Sequence, residues 1–235
     1  MSTMRNIDRV IDPFPAYARM RADNPVFYDP QTHHWNVFRY EDVQRVLSDY
    51  ETFSSQFAGD PNDPTQPFAA SMITTDPPKH RELRSLVTQA FTPRAVEALT
   101  PRIEQIVREH LDQARGKPVF DVIADLAVPL PVIVIAEMLG IPAADRGKFK
   151  TWSDQVVSLA NVAGEFNYAA FTENSTAIIE MGGYFFTMIE QRKTQPGDDL
   201  ISALVQAEVD GRKLETIELL GFCLLLLVAG NETTT

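Results

Sequence analysis

An apolar run near the end of the sequence most constrains what this chain can fold into. Leu219–Gly230 holds twelve apolar or glycine residues without a charge, and Asn231, Glu232 and Thr233 follow it directly. A membrane span needs about 20 apolar residues, so the run predicts a helix buried in a protein core. The acid and the alcohol at its end are either groups that do chemistry in a buried site or a polar helix terminus capped by Asn231.

Composition and charge narrow the classes of function. The 235 residues are 44% hydrophobic, as in a globular protein, and their formal net charge of −11 argues against nucleic-acid partners and anionic membranes. The single cysteine, Cys223, excludes an internal disulfide and fits a reducing compartment. The first residues contain no apolar signal segment or anchor. We therefore expect a soluble, cytoplasmic protein.

Helical periodicity dominates the chain, with a few short runs that favour strands. Apolar runs at 25–29 and 34–38 predict a hairpin, and 119–126 is compatible with a strand. The segment 54–70 is rich in Pro, Gly, Asp and Asn and predicts a long loop. The patterns amount to about ten helices against three or four short strands, which predicts a mainly α fold with a small β-sheet.

A strong helix is predicted after the sequence Asp-Pro-Pro at 76–78. Asp76 is suited to cap the helix and Pro77 to occupy its first position. The apolar residues that follow recur at helical spacing and form one stripe, which consists of Leu83, Leu86, Val87, Ala90 and Phe91. This helix is therefore expected to bury one face in the core.

His80 and Arg84 stand four residues apart on that helix, along one edge of the apolar stripe. A guanidinium beside an imidazole at the rim of a core is well placed to hold a carboxylate of a buried ligand, because arginine offers a fixed fork of donors. The alternative is an ordinary solvated helix face. The pair alone does not decide between the two.

The segment Ala229–Thr234 is the second candidate site. Glycine costs roughly 1 kcal/mol in a helix interior, so Gly230 indicates close approach of a ligand or a local opening of the helix. The Thr233 hydroxyl is spaced to bond the carbonyl of Ala229, which would loosen the same turn. Glu232 and Thr233 would then flank a pocket as an acid–alcohol pair, the combination that proton delivery needs. The alternative remains a polar helix end.

These motifs together resemble one family. DPPKHRELR at 76–84, Phe-Thr-Pro at 91–93 and an apolar helix ending in AGNETT about 150 residues later are similar to the cytochrome P-450 haem-thiolate monooxygenases, particularly the soluble bacterial kind. The resemblance extends over the whole chain. It implies the N-terminal portion of the P-450 fold, ending within the long central helix. Residues 1–235 would then be a single incomplete domain.

The resemblance also implies a cofactor, haem b, and the roles of several residues. His80 and Arg84 would contact the haem propionates, and Ala229 and Gly230 would form the oxygen-binding groove. Glu232 and Thr233 would be the acid–alcohol pair that supplies protons.

The expected substrate pocket is lined by Met72, Leu225 and Ala229, and the loop from Ser54 to Met72 and the link around Gly164 would cover it. The implied reaction inserts one oxygen atom from O2 into an apolar small molecule. The implied electron source is NAD(P)H, through a reductase and a ferredoxin-type redox partner.

A local excess of positive charge bears on that partner. Residues 79–102 hold five basic side chains and two acidic ones, a balance of +3 in a chain of −11. Electrostatic steering of an acidic ferredoxin to this helix would be favoured. The alternative is a surface of mixed charge without a docking role.

The sequence departs from the family in what it lacks. The family holds its iron through a cysteine thiolate in a loop after the long helix, and no such loop follows Gly230. Cys223 lies within GFCLLLL, where a cysteine is most often a small core hydrophobe. The expected axial thiolate is thus supplied by missing C-terminal residues, and the chain alone is expected to be inactive. The alternative is a free-standing helical binding or interaction protein that keeps half of the fold without catalysis.

Overall fold

A computed structural model describes residues 12–56, 70–157 and 168–232. Their contacts divide the chain into two compact units, one holding residues 12–55 and the other residues 56, 70–157 and 168–232. The expectation of a single domain over 1–235 stays a prediction. Most of the predicted loop 54–70, the link around Gly164, and Thr233 lie outside the described residues.

The first unit is built from two helices and the predicted hairpin. Helix α1 (Phe14–Asp23) begins just after Pro13, and α2 (Tyr40–Ser48) follows the hairpin. Strands β1 (Val26–Asp29) and β2 (His34–Val37) pair antiparallel, with Val26 opposite Val37 and Tyr28 opposite Trp35. The Tyr28 and Trp35 rings lie 5.2 Å apart between centroids. Cross-strand aromatic pairs of this kind stabilise a short hairpin.

The second unit is mainly helical. Its short hairpin joins β3 (Glu208–Val209) to β4 (Arg212–Lys213) through Asp210 and Gly211, whose φ angles are 51° and 79°. Asp-Gly is the pair that a two-residue turn with positive φ favours. The helices are α3 (Lys79–Ala90), α4 (Pro93–Glu97), α5 (Thr100–Ala114), α6 (Pro129–Met138), α7 (Arg146–Val157), α8 (Tyr168–Thr194), α9 (Leu200–Gln206) and α10 (Thr216–Glu232).

Helix α10 contains the apolar run and is packed on several sides. Helices α6, α7, α8 and α9 contact it, as does the short turn 72–74. Leu219, Leu224 and Leu227 are buried, as are Met181 and Phe185 of α8. The prediction of a buried core helix is confirmed. Within the described ranges, no helix is both long enough and apolar enough to cross a membrane.

Helix α3 confirms the predicted apolar stripe but begins later than predicted. Leu83 and Leu86 are buried, and the rest of the stripe packs against the core. The helix begins at Lys79, with Pro78 before it and without a side-chain cap bond. Pro77 is not the first helical residue, because a residue that precedes a proline is disfavoured from the helical region. Asp76 contributes its main-chain carbonyl, which accepts the His80 N–H at 3.0 Å.

The segment 119–126 is not a strand. Ile123–Ala127 forms a single π-helical turn that leads into α6. The Asp121 carboxylate accepts the main-chain N–H groups of Ile123 and Ala124, each at 3.0 Å. This local capping closes the chain into a turn and overrides the β propensity of the apolar residues.

Candidate functional site

His80 and Arg84 lie four residues apart on α3, at an open surface cleft of about 530 Å³ whose lining residues all belong to this one helix. His80 is half-buried and Arg84 is exposed, so of the two only the histidine lies at the rim of the core, where the sequence predicts both. Within the described part of the chain, neither side chain has an acidic partner within 4 Å. Their donors are therefore available to an anionic group. The other residues that line the cleft are Arg81, Ser85, Thr88 and Gln89.

Two of the five basic side chains at 79–102 already form ion pairs within the protein. Lys79 donates to Glu218, and Arg102 binds the Glu137 carboxylate with two hydrogen bonds of 2.7 and 2.6 Å. Arg81 is exposed and, among the described residues, has no ion-pair partner. The exposed basic side chains of this stretch that have no ion-pair partner among the described residues are thus Arg81 and Arg84 on α3 and Arg94 on α4.

The end of α10 is a regular helix. It is continuous through Glu232, without the local opening that Gly230 suggested. A Cβ built on Gly230 would lie 2.6 Å from Cδ1 of Ile135 on α6. Close packing against Ile135 of α6 is therefore one structural reason for the glycine. Ala229, the preceding residue, is exposed.

Two predicted catalytic groups are not placed by the structure. Glu232 ends α10, but its side chain is not among the described ones, and Thr233 lies outside the described residues. The acid–alcohol pair therefore stays a prediction.

The predicted pocket residues lie in the second unit. Met72 begins a short 3-10 turn, Met72–Thr74, and packs half-buried against the core. The turn contacts α10, on which Leu225 is buried. The main chain of Ala70 and Ser71 passes so close to Gly221 that a Cβ there would lie 3.3 Å from its atoms. The structure thus brings the segment around Met72 against α10, but the pocket role of these residues stays a prediction.

Cys223 is a packing residue. Its side chain is fully buried within α10, and burial raises the pKa of the thiol to about 12. A thiol with such a pKa is protonated at neutral pH. Cys223 therefore has the environment of a small hydrophobic residue packed in the core.

Sequence reasoning missed an ion cluster around a buried carboxylate, Glu218, at the start of α10. The Glu218 carboxylate accepts hydrogen bonds from Lys79 Nζ, from Arg212 Nη2 at 2.8 Å and from the Glu215 N–H at 3.0 Å. The spacing of Glu215 and Glu218 signals the local contact, since a carboxylate at the third helical position returns to the cap residue. The partners on α3 and β4 have no such local signal.

Comparison with known proteins gives a consistent result. The family model described as Cytochrome P450 matches residues 24–235. The chain is 44% identical over 232 residues to the putative cytochrome P450 YjiB of Bacillus subtilis, covering 98% of this chain and 58% of that protein. It is 45% identical over 224 residues to cytochrome P450 109 of Bacillus spizizenii, covering 95% of this chain and 53% of that one.

Solved structures agree with these sequence matches. Substrate-free CYP109E1 from Bacillus megaterium superimposes with a TM-score of 0.84 at 41% identity, covering 94% of this chain and 58% of that one. The same enzyme in complex with testosterone gives a TM-score of 0.77 at 39% identity, covering 95% and 56% of the two chains. The chain thus spans little more than half the length of the proteins it matches. The predicted resemblance to cytochromes P450 is confirmed. The predicted mainly α fold, corresponding to the N-terminal portion of the P450 fold, is confirmed as well.

Proposed function

The chain belongs to the cytochrome P450 family, and on that premise we propose that the whole protein is a haem-dependent monooxygenase. It inserts one oxygen atom from O2 into an apolar small molecule. The observation that carries this proposal is the family match over residues 24–235. The alternative, a free-standing helical binding protein, is not favoured by these relatives, which are named as cytochromes P450.

His80 and Arg84 would hold haem b. The two propionates of haem are carboxylates, and an imidazole and a guanidinium that have no acidic partner among the described residues fit them. An arginine fork binds a carboxylate through two charge-assisted hydrogen bonds. The carboxylates would thus neutralise the Arg84 charge at the cleft. When bound, haem supplies the activation of O2.

The end of α10 would border the reacting groups. The methyl group of Ala229 is small, which leaves room for a flat cofactor and O2 beside the helix. The Glu232 carboxyl would hold a proton and the Thr233 hydroxyl would orient its delivery, an acid–alcohol arrangement suited to an apolar site.

Apolar side chains would bind the substrate. Met72 and Leu225 expose no charge, and Ala229 adds a small apolar surface, so the pocket selects by shape and hydrophobic burial. CYP109E1 has been solved with testosterone and with corticosterone. We propose that this protein accepts apolar molecules of similar size, and steroids are the first class to test.

The thiolate that would hold the haem iron would come from residues outside this 235-residue chain. Cys223 is its single cysteine, and its side chain is fully buried in the packed core around α10, so we do not propose it as the ligand. The chain alone is then inactive. Electrons would reach the whole protein from NAD(P)H through a reductase and a ferredoxin-type partner. We propose that the whole protein is soluble and lies in the cytoplasm.

The reduced carbon monoxide spectrum tests the proposal. The full-length protein should give a thiolate-type spectrum, and the 235-residue chain supplied with haem should not. Arg84→Gln in the full-length protein should weaken haem retention, while Arg108→Gln on α5 is the matched control. A full-length protein that binds no haem, or a thiolate-type spectrum from the short chain, would contradict the proposal.

A further inference from the structure

Helices α3 and α10 are joined by an ion cluster around the buried carboxylate of Glu218. The side chain of Glu218 is 5% exposed. Lys79, the first residue of α3, donates to it from one side, and Arg212 of β4 donates at 2.8 Å from another. The Glu215 N–H completes its hydrogen bonds at 3.0 Å.

The cluster has a second link to α3. Arg212 Nε lies 3.5 Å from the carboxylate of Glu82, which stands in the first turn of α3. The first turn of α3 is therefore held through Lys79 directly and through Glu82 by way of Arg212. A buried carboxylate that loses one partner becomes an uncompensated charge, so these contacts resist separation.

The held turn carries one proposed haem-contacting residue and leads to the other. His80 directly follows Lys79 in the chain, and Arg84 lies four residues further along the same helix. The other partner, α10, carries Ala229 and Gly230 near its C-terminal end, which is at Glu232. A tie between the first turns of α3 and α10 therefore sets the spacing between the two halves of the proposed site.

We propose that Glu218 is a positioning residue for the haem: it fixes the first turn of α3 on α10 and thereby sets where His80 and Arg84 meet the cofactor carboxylates. This inference rests on the proposed function. Glu218 acts through Lys79 and Arg212 and does not itself touch the haem. Partners of this kind, one step removed from a cofactor, hold the contacting residues in place.

A second buried ion pair provides a control for plain loss of stability. Asp199 is also 5% exposed at its side chain, and it binds Arg192 Nε at 2.6 Å. It caps α9 by accepting the Ser202 N–H at 2.8 Å. This pair joins the end of α8 to the start of α9, and neither helix carries a residue proposed to contact the haem.

The experiment measures haem loss from the full-length haem protein to excess apomyoglobin. Glu218→Gln should release haem about tenfold faster than the natural protein, the lower end of the effect of losing an outer-shell partner. Asp199→Asn should lower the melting temperature comparably and release haem at close to the natural rate. Lys79→Met should accelerate release on its own and should reduce the further effect of Glu218→Gln, because both act through one tie.

Each outcome decides the inference. A natural protein that binds no haem overturns both the proposed function and this inference. A natural protein that binds haem, with Glu218→Gln releasing it at the natural rate, overturns the inference alone. Equal acceleration in Asp199→Asn also overturns it, since lost stability then explains the effect. If Glu218→Gln does not fold, Lys79→Met decides, because its side chain is 44% exposed and tolerates the change.

Discussion

Gly230 of α10 contacts Ile135 of α6 so closely that any side chain at position 230 would meet the Ile135 δ-methyl, 2.6 Å from the new Cβ. Ile135 is buried, with 5% of its surface exposed, so its methyl group has little free space to move into. The contact makes α6 a direct neighbour of the helix end where oxygen is proposed to bind. The glycine thus has a packing role that is independent of any cofactor.

Gly230→Ala should lower the free energy of unfolding by about 1 kcal/mol, because overpacking of about 1–3 kcal/mol outweighs a gain of about 1 kcal/mol in helix propensity. Ile135→Val removes the δ-methyl and alone should cost about 1 kcal/mol. The double variant should be less destabilised than the sum of the two, as measured by urea unfolding. Strict additivity would show that the two residues do not compete for space.

Cys223 should react very slowly with a thiol reagent in the native protein. Burial raises its pKa to about 12, so at pH 8 about one thiol in 10,000 is ionised. Labelling should be at least about 100-fold slower than after denaturation. Above pH 9, the ordinary value for the thiol, the unfolded chain ionises while the native thiol stays protonated, so its contribution to stability falls.

A substitution completes the test of Cys223. Cys223→Ala in the full-length protein should leave the reduced carbon monoxide spectrum unchanged. Loss of the thiolate-type spectrum in this variant would identify Cys223 as the ligand and contradict its assignment as a packing residue.

Glu137 should stabilise the protein in a pH-dependent way. Its carboxylate accepts two hydrogen bonds from Arg102 and lies 2.8 Å from Arg146 Nη2. The Arg102 bond is the main cause that lowers the pKa of Glu137 below the ordinary value of 4.5. Glu137→Gln should cost about 1–3 kcal/mol at pH 7, because two partly buried guanidinium groups lose their counter-charge.

The pH profile provides the check. Since the folded-state pKa of Glu137 is lowered, its contribution is complete above pH 4.5 and declines as the pH falls through the folded value. The stability gap between the natural protein and Glu137→Gln should therefore narrow below pH 4.5. Glu104→Gln, which removes an exposed pair with Arg108, should cost less than about 0.5 kcal/mol.

Arg81→Glu should slow electron transfer from an acidic ferredoxin to the full-length protein. Arg81 is exposed on α3, and reversing its charge should reduce the association rate by about two- to tenfold at low ionic strength. The effect should disappear at high salt. Arg108→Glu on α5 is the matched control, and equal slowing by both variants would exclude a docking role for α3. Lys79→Glu is a poorer test, because it also breaks the contact with Glu218.

Local sequence patterns predicted most of the helices and singled out the motif residues. Twelve uncharged residues at Leu219–Gly230 predict burial because no exposed helix tolerates such a run, and α10 is buried. The start of α3 was misplaced by two residues, since a proline pair satisfies two competing rules for a helix start. The strand expected at 119–126 failed because the Asp121 carboxylate caps a turn that periodicity does not report.

The features of the candidate site that the sequence did not predict depend on contacts between residues far apart in the chain. Glu218 meets Lys79 across 139 positions of the chain. Gly230 faces Ile135 on another helix. A single sequence records the residue types at both ends of such contacts but not their distance. The sequence therefore indicated that a glycine at position 230 of a helix requires an explanation, and the structure provides one, the contact with Ile135.

The contact at Gly221 bears on how the proposed pocket can be re-engineered. A Cβ at this position would lie 3.3 Å from the main-chain carbon and oxygen of Ala70 and from the nitrogen of Ser71, atoms that no rotamer change can move aside. Met72 follows directly, so its Cα is located by a main-chain contact that does not depend on its own side chain. A mutant library can therefore vary Met72 and Leu225 for new substrates while Gly221 keeps the main chain at 70–71 close against α10.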